Sequence, residues 1–387
     1  MALIEIFRLF LHLGLTAYGG LAMIEPMRRR VVQEKSWLNQ AEFLDGLALC
    51  QMAPGATVVQ LATYVGYRLR GVAGALAAAG AFILPAFCLM LGLSMAYFHF
   101  GELAWVKTVS RGLNAVVIAL LLQALWGLGN ALGRRVADFG LALAALAAFW
   151  LRLNYFLIFL AAAGLKVVLD LNKKEPARPP SAPISAPRPR VGRLLGQVSV
   201  SVAAMGVGAW ALGRLDAVLG QMSLIFLKIG VISFGGGYVM IPILQWEAVD
   251  RLKWLSLRQF LDGIMLSYVT PGPLIILATF VGYHLRGLVG GVAATLAVFL
   301  PPILIIIFLS PWYHRFKESR LMRPAVQGIL AALVGMLALV TVQMGRAALT
   351  DIKDLALFTA GAVALLAFKI NLLWVNAAAA GLSLVLY

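Results

Sequence analysis

Residues 226–242 read FLKIGVISFGGGYVMIP, an apolar run that three adjacent glycines interrupt at Gly235, Gly236 and Gly237. Residues 10–26, FLHLGLTAYGGLAMIEP, form a near copy that lies 216 positions earlier and contains its own pair of glycines. Both runs are too apolar to be a hairpin or a phosphate loop in water. The chain is therefore predicted to consist of two homologous halves, each of which begins with a glycine-broken membrane segment.

The composition places the chain among integral membrane proteins. Hydrophobic residues make up 62% of it, charged residues only 12%, and the mean hydropathy is +0.91, whereas soluble proteins contain roughly a quarter charged residues. Apolar blocks recur along nearly the whole length, which favours helices over a β-barrel. We therefore expect an all-α polytopic protein whose partner is the lipid bilayer. The net charge of +16 is attributed to cytoplasmic loops and to an anionic substrate, not to nucleic acid.

A second matched motif follows in each half. Residues 41–71 (AEFLDGLALCQMAPGATVVQLATYVGYRLRG) resemble residues 258–287 (RQFLDGIMLSYVTPGPLIILATFVGYHLRG). Each copy contains a proline-glycine pair within an apolar helix, and proline removes a backbone donor while glycine loosens the helix. A second break at membrane depth is thus predicted in each half.

Each of these motifs is preceded by the pattern of a helix N-terminus. Asn39 is followed by Glu42, and Ser256 is followed by Gln259, which is the spacing of a capping box. The pattern predicts that a helix begins at the same place in both halves.

The remaining apolar blocks set the architecture. Each half contains six apolar segments, residues 172–193 form a basic proline-rich linker, and residues 197–212 are apolar enough for one further helix. Six segments plus one place the second half in the opposite orientation in the membrane. The sequence therefore predicts two inverted repeats with broken helices and about 13 membrane segments. The domains are an N-terminal repeat at 1–171, the linker with its connecting helix at 172–216, and a C-terminal repeat at 217–387.

Inverted repeats whose helices break near the bilayer midplane are the layout of many secondary transporters. A break exposes backbone N–H groups and helix-dipole ends, which bind small anions without requiring a buried full charge. The alternative is that the glycines are close-packing points between helices and the prolines are simple kinks. The candidate substrate-binding residues at the four breaks are Gly19, Gly20, Pro54, Gly55, Gly235, Gly236, Gly237, Pro271, Gly272 and Pro273.

Two basic residues accompany the glycine breaks. Lys228 and His12 occupy equivalent positions about two turns before the glycines, and an ionisable group within a membrane segment is a candidate functional residue. We add both to the predicted substrate site, where a cation and backbone donors would bind a tetrahedral dianion. The alternative is that both side chains snorkel to the membrane surface.

Three carboxylates are candidates for proton coupling. Asp45 and Asp262 are equivalent residues that follow the capping boxes by one turn, and Glu247 follows the glycine break of the second half. For the two aspartates the alternative role is compensation of the positive end of the helix dipole.

The motifs of the second half together resemble one known family. FGGG-x4-P, W-L-x4-F-L-D-G and T-P-G-P-x4-A-T-F-V-G-Y-x2-R-G look like the chromate ion transporter family, and the first half is similar to its other homologous domain. The similarity covers about 90 residues at the start of each half. It implies a secondary transporter that exports chromate across the cytoplasmic (inner) membrane, driven by proton motive force, with sulfate as a close analogue. A homodimer is left open. Leu21 and Ala56 depart from the pattern, because a proline often stands there.

Two other functions are alternatives to chromate export. A transporter of sulfate or another oxyanion would use the same scaffold, and an intramembrane enzyme would be a function of another class. The sequence contains neither H-E-x-x-H nor G-x-S-x-G, so we expect no enzyme activity. No metal and no cofactor are expected, and without a P-loop motif any ATP-driven transport would require a partner.

Overall fold

The computed structural model describes residues 2–16, 23–101, 103–132, 136–170, 191–233, 237, 240–312 and 321–387. Within these ranges the chain forms 15 α-helices, with short 3-10 and π-helical segments next to them and no strand. This result confirms the all-α class. Four of the predicted site glycines, Gly19, Gly20, Gly235 and Gly236, lie outside the described residues, as does the proline-rich linker up to residue 190.

The helices of the first half run in the order expected from its apolar blocks. They are α1 (Leu3–Thr16), α2 (Ile24–Arg28, continued by a π-helix at Arg29–Glu34), α3 (Gln40–Met52), α4 (Thr57–Phe100), α5 (Ala104–Ala131), α6 (Val136–Trp150) and α7 (Tyr155–Asp170). The connecting helix α8 (Val191–Leu215) follows and begins six residues before the predicted position 197.

The second half repeats this order, including the π-helix. Its helices are α9 (Ala217–Ile232), α10 (Met240–Leu244, continued by a π-helix at Gln245–Arg251), α11 (Leu257–Val269), α12 (Leu277–Leu309, after a 3-10 turn at Leu274–Ile276), α13 (Met322–Ala348), α14 (Ile352–Leu366) and α15 (Leu372–Leu386).

The predicted capping boxes begin α3 and α11. Asn39 Oδ1 accepts the Glu42 N–H at 2.8 Å, and Ser256 Oγ accepts the Gln259 N–H at 3.1 Å. In both boxes the side chain of the third helical residue returns a bond to the backbone N–H of the capping residue. The prediction that both halves start this helix at the same place is confirmed.

The proline-glycine breaks are the tips of hairpins. A Cβ built on Gly46 of α3 would overlap the ring of Tyr64 in α4, and Arg68 of α4 donates to Glu42 of α3 at 2.7 Å. Residues on either side of the tip therefore face each other, so the chain turns back at Pro54. Each arm has about 13 residues, or about 20 Å, which is less than the roughly 30 Å of a bilayer core.

The predicted break is thus a reversal of the chain, and not an interruption within one membrane segment. The second half has the same arrangement, because a Cβ on Gly263 of α11 would meet the ring of Phe280 in α12. We name the two features the first hairpin (α3 and residues 57–69 of α4) and the second hairpin (α11 with residues 274–285). The chain enters and leaves such a hairpin on the same side of the membrane.

A sharp turn closes each hairpin onto the following helix. The backbone leaves helical geometry at Arg70 and Gly71 in α4, and it does the same at Arg286 and Gly287 in α12. Beyond the turn, a Cβ on Gly66 would collide with the carbonyl of Gly74. The two arms of α4 thus pack backbone to backbone, which requires a residue without a side chain.

We expect Gly66→Ala to lower the free energy of unfolding by about 1–3 kcal/mol, because the methyl group must push the two arms of α4 apart. Gly80→Ala in the same helix is the control, since a Cβ there meets nothing within 4 Å. It should leave stability unchanged or raise it by up to about 1 kcal/mol. Thermal unfolding of both variants in detergent makes the comparison, and equal melting temperatures would contradict the close packing.

Helices are exchanged between the two halves. The long helix α5 of the first half packs against α14 and α15 of the second half, while α13 of the second half packs against α6 and α7 of the first. Arg111 of α5 anchors the first exchange by donating to Asp354 of α14 at 2.9 Å. Because each half supplies the partner for the short helices of the other, the two halves form one interlocked core.

Within the described ranges, four helical segments are long and apolar enough to cross a membrane. They are Thr57–Phe100, Ala104–Ala131, Leu274–Leu309 and Pro324–Ala348. Several other apolar helices are shorter, and α6 with 15 residues extends only about 22 Å. The chain is a multi-pass membrane protein, while the number of about 13 segments and the inverted orientation of the halves remain predictions.

Candidate functional site

The tip of the first hairpin reaches into the second half of the chain. Proline removes one backbone donor at position 54, and Gly55 adopts a φ of +135°, which side chains other than glycine rarely allow. In this conformation the Gly55 N–H donates to the carbonyl of Ser233 at 2.5 Å. Ser233 ends α9, two residues before the glycine break of the second half. The tip of one half is thereby joined to the break of the other.

The tip of the second hairpin lies against the same region. Gly272 has a φ of +121°, and a Cβ on it would come within 2.6 Å of the Ala86 Cβ in α4. A Cβ on Gly55 would overlap Pro302 in α12, the residue equivalent to Ala86. The first tip thus packs against α12 and the second tip against α4. A two-fold relation between the halves would require such a reciprocal arrangement.

The glycine break of the second half is close to the second tip. A Cβ built on Gly237 would lie 3.6 Å from the backbone nitrogen of Ile275, in the first turn after Pro273. Three of the four predicted breaks therefore have contacts that link them: the two tips and the segment at Gly237. The fourth break, at Gly19 and Gly20, is outside the described residues.

The two tips carry helix N-termini without a side-chain cap. Ala56 precedes α4 and Pro273 precedes the turn that opens α12, and neither side chain has an acceptor atom. The first residues of both helices are nevertheless buried, with Val59 and Ile275 fully so. Buried helix ends leave N–H groups that need acceptors, and the helix dipole favours an anion there. The outer ends of the same hairpins have complete capping boxes, so within the hairpins only the tips lack caps. Two long helices elsewhere, α5 after Leu103 and α13 after Leu321, also begin without a side-chain cap.

Gln60 adds an unpartnered polar group beside the first tip. Its side chain is fully buried, and its Nε2 donates to the Pro54 carbonyl at 2.6 Å. Its Oε1 has no hydrogen-bond partner in the described part of the chain. A buried polar atom in this state marks the position of a water molecule or of a bound polar ligand.

The hydroxyl groups near the tips are largely used inside their own helices. The hydroxyls of Thr63, Thr270 and Ser233 each donate to the carbonyl four residues earlier. Thr279 forms a hydroxyl pair with Thr295 at 2.7 Å. The hydroxyls of Thr63, Thr270 and Ser233 therefore satisfy backbone carbonyls of their own helices.

The two predicted basic residues lie on exposed surfaces. Lys228 is exposed on α9 and His12 is exposed on α1. His12 Nε2 approaches the guanidinium of Arg30 at 3.4 Å, a pairing that sequence spacing does not indicate. The structure does not bury either side chain among the breaks, and their assignment to the substrate site remains a prediction.

The three candidate carboxylates have different surroundings. Asp262 is 3% exposed, and it accepts from the Tyr97 hydroxyl and from the Asn114 amide, both at 2.6 Å. Asp45, its equivalent in the first half, is half-buried. Glu247 is also buried, but Arg251 Nε donates to it at 2.6 Å and forms an ion pair with it. Glu247 also accepts from the Tyr155 hydroxyl of the opposite half at 3.0 Å, so the ion pair with Arg251 is what distinguishes Glu247 from Asp262.

Two buried charge networks were missed at the sequence level. Lys166, which is 1% exposed, pairs with Asp138 at 2.5 Å and with Asp170 at 3.0 Å. The equivalent aspartate of the second half, Asp354, is held by Arg111 and Tyr387. The i,i+4 spacing of Lys166 and Asp170 was the only local signal. Both networks join helix ends to their neighbours and lie outside the hairpin tips.

Comparison with known proteins gives one consistent family. The family model described as "Chromate transporter" matches residues 4–167 and again residues 220–384. The chain is 30% identical to a chromate transport protein of Cupriavidus metallidurans over 364 residues, which is 93% of this chain and 87% of that protein. It is 33% identical to a chromate transport protein of Pseudomonas aeruginosa, over 94% of this chain and 87% of that protein. An uncharacterised transporter of Methanocaldococcus jannaschii is 33% identical over 92% and 87%. No solved structure matches significantly.

Proposed function

The chain belongs to the chromate transporter family, and we propose that it is a secondary transporter that exports chromate across the cytoplasmic membrane, driven by proton motive force. The observation that carries the proposal is that both hairpin tips, whose buried helix N-termini have no side-chain cap, lie against the second glycine break, the first tip at Ser233 and the second at Gly237. Backbone N–H groups at these ends offer donors to a tetrahedral dianion, and the helix dipoles favour its charge. No buried lysine or arginine at the tips is needed for this mode of binding.

The proposed access to the ion from both sides of the membrane depends on the contacts between the two halves. Each tip rests on a helix of the other half, at Ala86 and at Pro302. If the halves are inverted, rocking of one hairpin against the other would open the shared site first to the cytoplasm and then to the outside, as in other inverted-repeat transporters. The membrane orientation required here is part of the proposal.

The membrane potential favours export of a dianion. Moving a dianion outward across an inside-negative potential of about 100 mV releases about 4.6 kcal/mol, since each elementary charge contributes about 2.3 kcal/mol. At about 1.4 kcal/mol per decade this corresponds to a gradient of roughly a thousandfold. Import would require at least two accompanying cations to cancel the same term.

Asp262 is the proposed proton carrier. A carboxylate held by a tyrosine hydroxyl and an amide can change its charge without breaking an ion pair, whereas Glu247 is paired with Arg251. Asn114 has Leu330 at the equivalent position of the second half, so this amide donor is not repeated there. We therefore place proton coupling on one carboxylate, with Asp45 and Glu247 as the other candidates.

Lys228 is proposed to attract the anion without contacting it, since the side chain is exposed. A single surface charge near a site raises the local concentration of an ion of opposite sign. We expect Lys228→Ala to raise the KM for chromate by about threefold to tenfold and to leave the maximal rate unchanged, while Lys228→Arg keeps the wild-type KM. Transport rates measured against chromate concentration provide the test, and a wild-type KM in Lys228→Ala would remove the residue from the site.

Sulfate is the second candidate substrate, because backbone donors recognise the charge and the tetrahedral shape that chromate and sulfate share. The test uses purified protein in liposomes, with flux of chromate and of sulfate measured with and without an imposed potential and pH gradient. We expect chromate flux that both gradients stimulate and that excess sulfate competes with. Sulfate flux without chromate flux would reassign the substrate, and absence of any oxyanion flux would refute the transport site.

A further inference from the structure

A cavity of about 290 Å³ lies away from the hairpin tips, at the end of the helix pair α6 and α7. The π-helix that continues α10 and one face of α13 complete its wall. None of its lining residues belongs to the tips or to the carboxylate site at Asp262. The polar and aromatic residues that line it include Trp150, Arg152, Gln245, Trp246, Asp250 and Gln343.

The cavity is at the level of a membrane surface. Gln343 lies five residues before the end of α13 at Ala348, or about 7.5 Å along the helix axis. Trp150 and Arg152 are exposed where α6 ends and the chain turns. Tryptophan and arginine are typical of the headgroup region of bilayers, where an apolar body meets a polar surface.

The polar lining carries both signs of charge. Arg152 offers a guanidinium and Asp250 a half-buried carboxylate, and the charges of Lys253 and, less strongly, of Arg152 act on Asp250. A carboxylate in the wall opposes binding of a dianion such as chromate. A ligand that itself contains an anionic and a cationic group would satisfy both residues.

Gln245 shows where hydrogen-bond donors are missing. Its side chain is 3% exposed, and its Nε2 donates to Gln343 at 3.1 Å. Its Oε1 has no partner among the described residues. An unsatisfied buried acceptor is costly, so the site favours a ligand with an N–H or O–H donor on this side.

We propose that this cavity binds the headgroup of a phospholipid with a primary ammonium, in which the phosphate pairs with Arg152 and the ammonium donates to Gln245 and Asp250. Trp150, Trp246 and the apolar side chains of α13 contact the glycerol and the upper acyl chains. The volume is near the lower end of the range for ligand pockets, roughly 300–1,000 Å³, which suits a headgroup and not a whole lipid. This inference does not depend on which ion the protein transports.

The test measures binding of three lipids to the purified full-length protein by native mass spectrometry. Phosphatidylethanolamine has N–H donors, phosphatidylcholine has a cation without them, and phosphatidylglycerol has no cation. We expect phosphatidylethanolamine to bind about tenfold more tightly than either of the others, because only it combines a donor for the unpaired acceptor with a cation for Asp250, whereas phosphatidylglycerol has hydroxyl donors but no cation. Equal binding of phosphatidylcholine, or displacement of the lipid by inorganic chromate, would overturn the proposal.

Matched variants assign the headgroup to its residues. Arg152 has a φ of +59°, and Lys369 occupies the equivalent turn of the second half with a φ of +53° but does not line the cavity. Asparagine tolerates this backbone conformation, so Arg152→Asn and Lys369→Asn remove the same charge from similar turns. We expect Arg152→Asn and Asp250→Asn to abolish the tenfold preference and Lys369→Asn to retain it. Loss of the preference in all three variants, or in none, would contradict the assignment.

Discussion

Gly55→Ala is expected to reduce chromate transport by at least about 100-fold while the protein remains in the membrane. The φ of +135° at this position is strained for any residue with a side chain, and a new Cβ would overlap Pro302 and approach Gln60 Nε2 at 2.6 Å. The tip must then move away from Ser233, and a displacement of about 1 Å at a binding site can cost about 100-fold in rate. Transport by equal amounts of folded protein in liposomes gives the measurement.

A second substitution that relieves the collision distinguishes a damaged binding site from a protein that fails to fold. Gly272→Ala should produce a similar defect, because its Cβ would meet the Cβ of Ala86. Adding Ala86→Gly removes that collision and should restore part of the transport, although the strain at φ +121° remains. Gly80→Ala, where a Cβ meets nothing within 4 Å, should transport at the wild-type rate. A folded Gly55→Ala protein with normal transport would refute the role of the tips.

Asp262→Asn is expected to abolish the stimulation of chromate export by a pH gradient and to lower the rate under that gradient by about tenfold or more. Asparagine has nearly the same shape and keeps an acceptor for Tyr97, but it cannot carry a proton. Removal of a positioned proton-transfer group typically costs 10²–10⁴-fold in reactions that depend on it. Flux in liposomes with imposed pH gradients of opposite sign provides the measurement.

The equivalent residue in the first half is the control. Asp45→Asn should retain the response to the pH gradient, since Asp45 is half-buried and the second half has Leu330 at the position equivalent to Asn114. Tyr97→Phe should reduce the rate less than Asp262→Asn, because it removes one hydrogen bond and leaves the carboxylate in place. If Asp45→Asn loses the gradient response and Asp262→Asn keeps it, the proton carrier has been assigned to the wrong half.

The features that the sequence predicted correctly all have local causes. Capping boxes at Asn39 and Ser256 need only a hydroxyl or amide oxygen and a partner three residues later, so the starts of α3 and α11 could be read directly. Breaks at Pro54 and Pro271 follow from a missing donor within the same segment. The resemblance to the chromate transporters rested on motifs of this kind, and the comparison with known proteins confirmed the family.

The features that the sequence did not predict depend on distant contacts. Asp262 is bound by Tyr97 and Asn114, which are 165 and 148 residues away in the chain, and no periodicity encodes such a pairing. The sequence predicted a break at each proline-glycine pair but not a reversal of the chain, because such a pair serves equally well in a kinked helix and in a turn. Only the contacts of Gly46 with Tyr64 and of Glu42 with Arg68 show that the chain reverses direction.

Residues 226–242 show which properties follow from the local sequence and which depend on the tertiary structure. Their apolar composition and their copy at residues 10–26 indicated a duplicated membrane protein and predicted a break at the same place in each half, because hydrophobicity and glycine content are properties of the local chain. The tertiary structure decided what the break contacts: Ser233 accepts from Gly55 of the other half, Gly237 lies beside Ile275, and Lys228 is exposed. These outcomes depend on how the helices of the two halves interlock, and burial and close packing across the interface are not encoded in either segment alone.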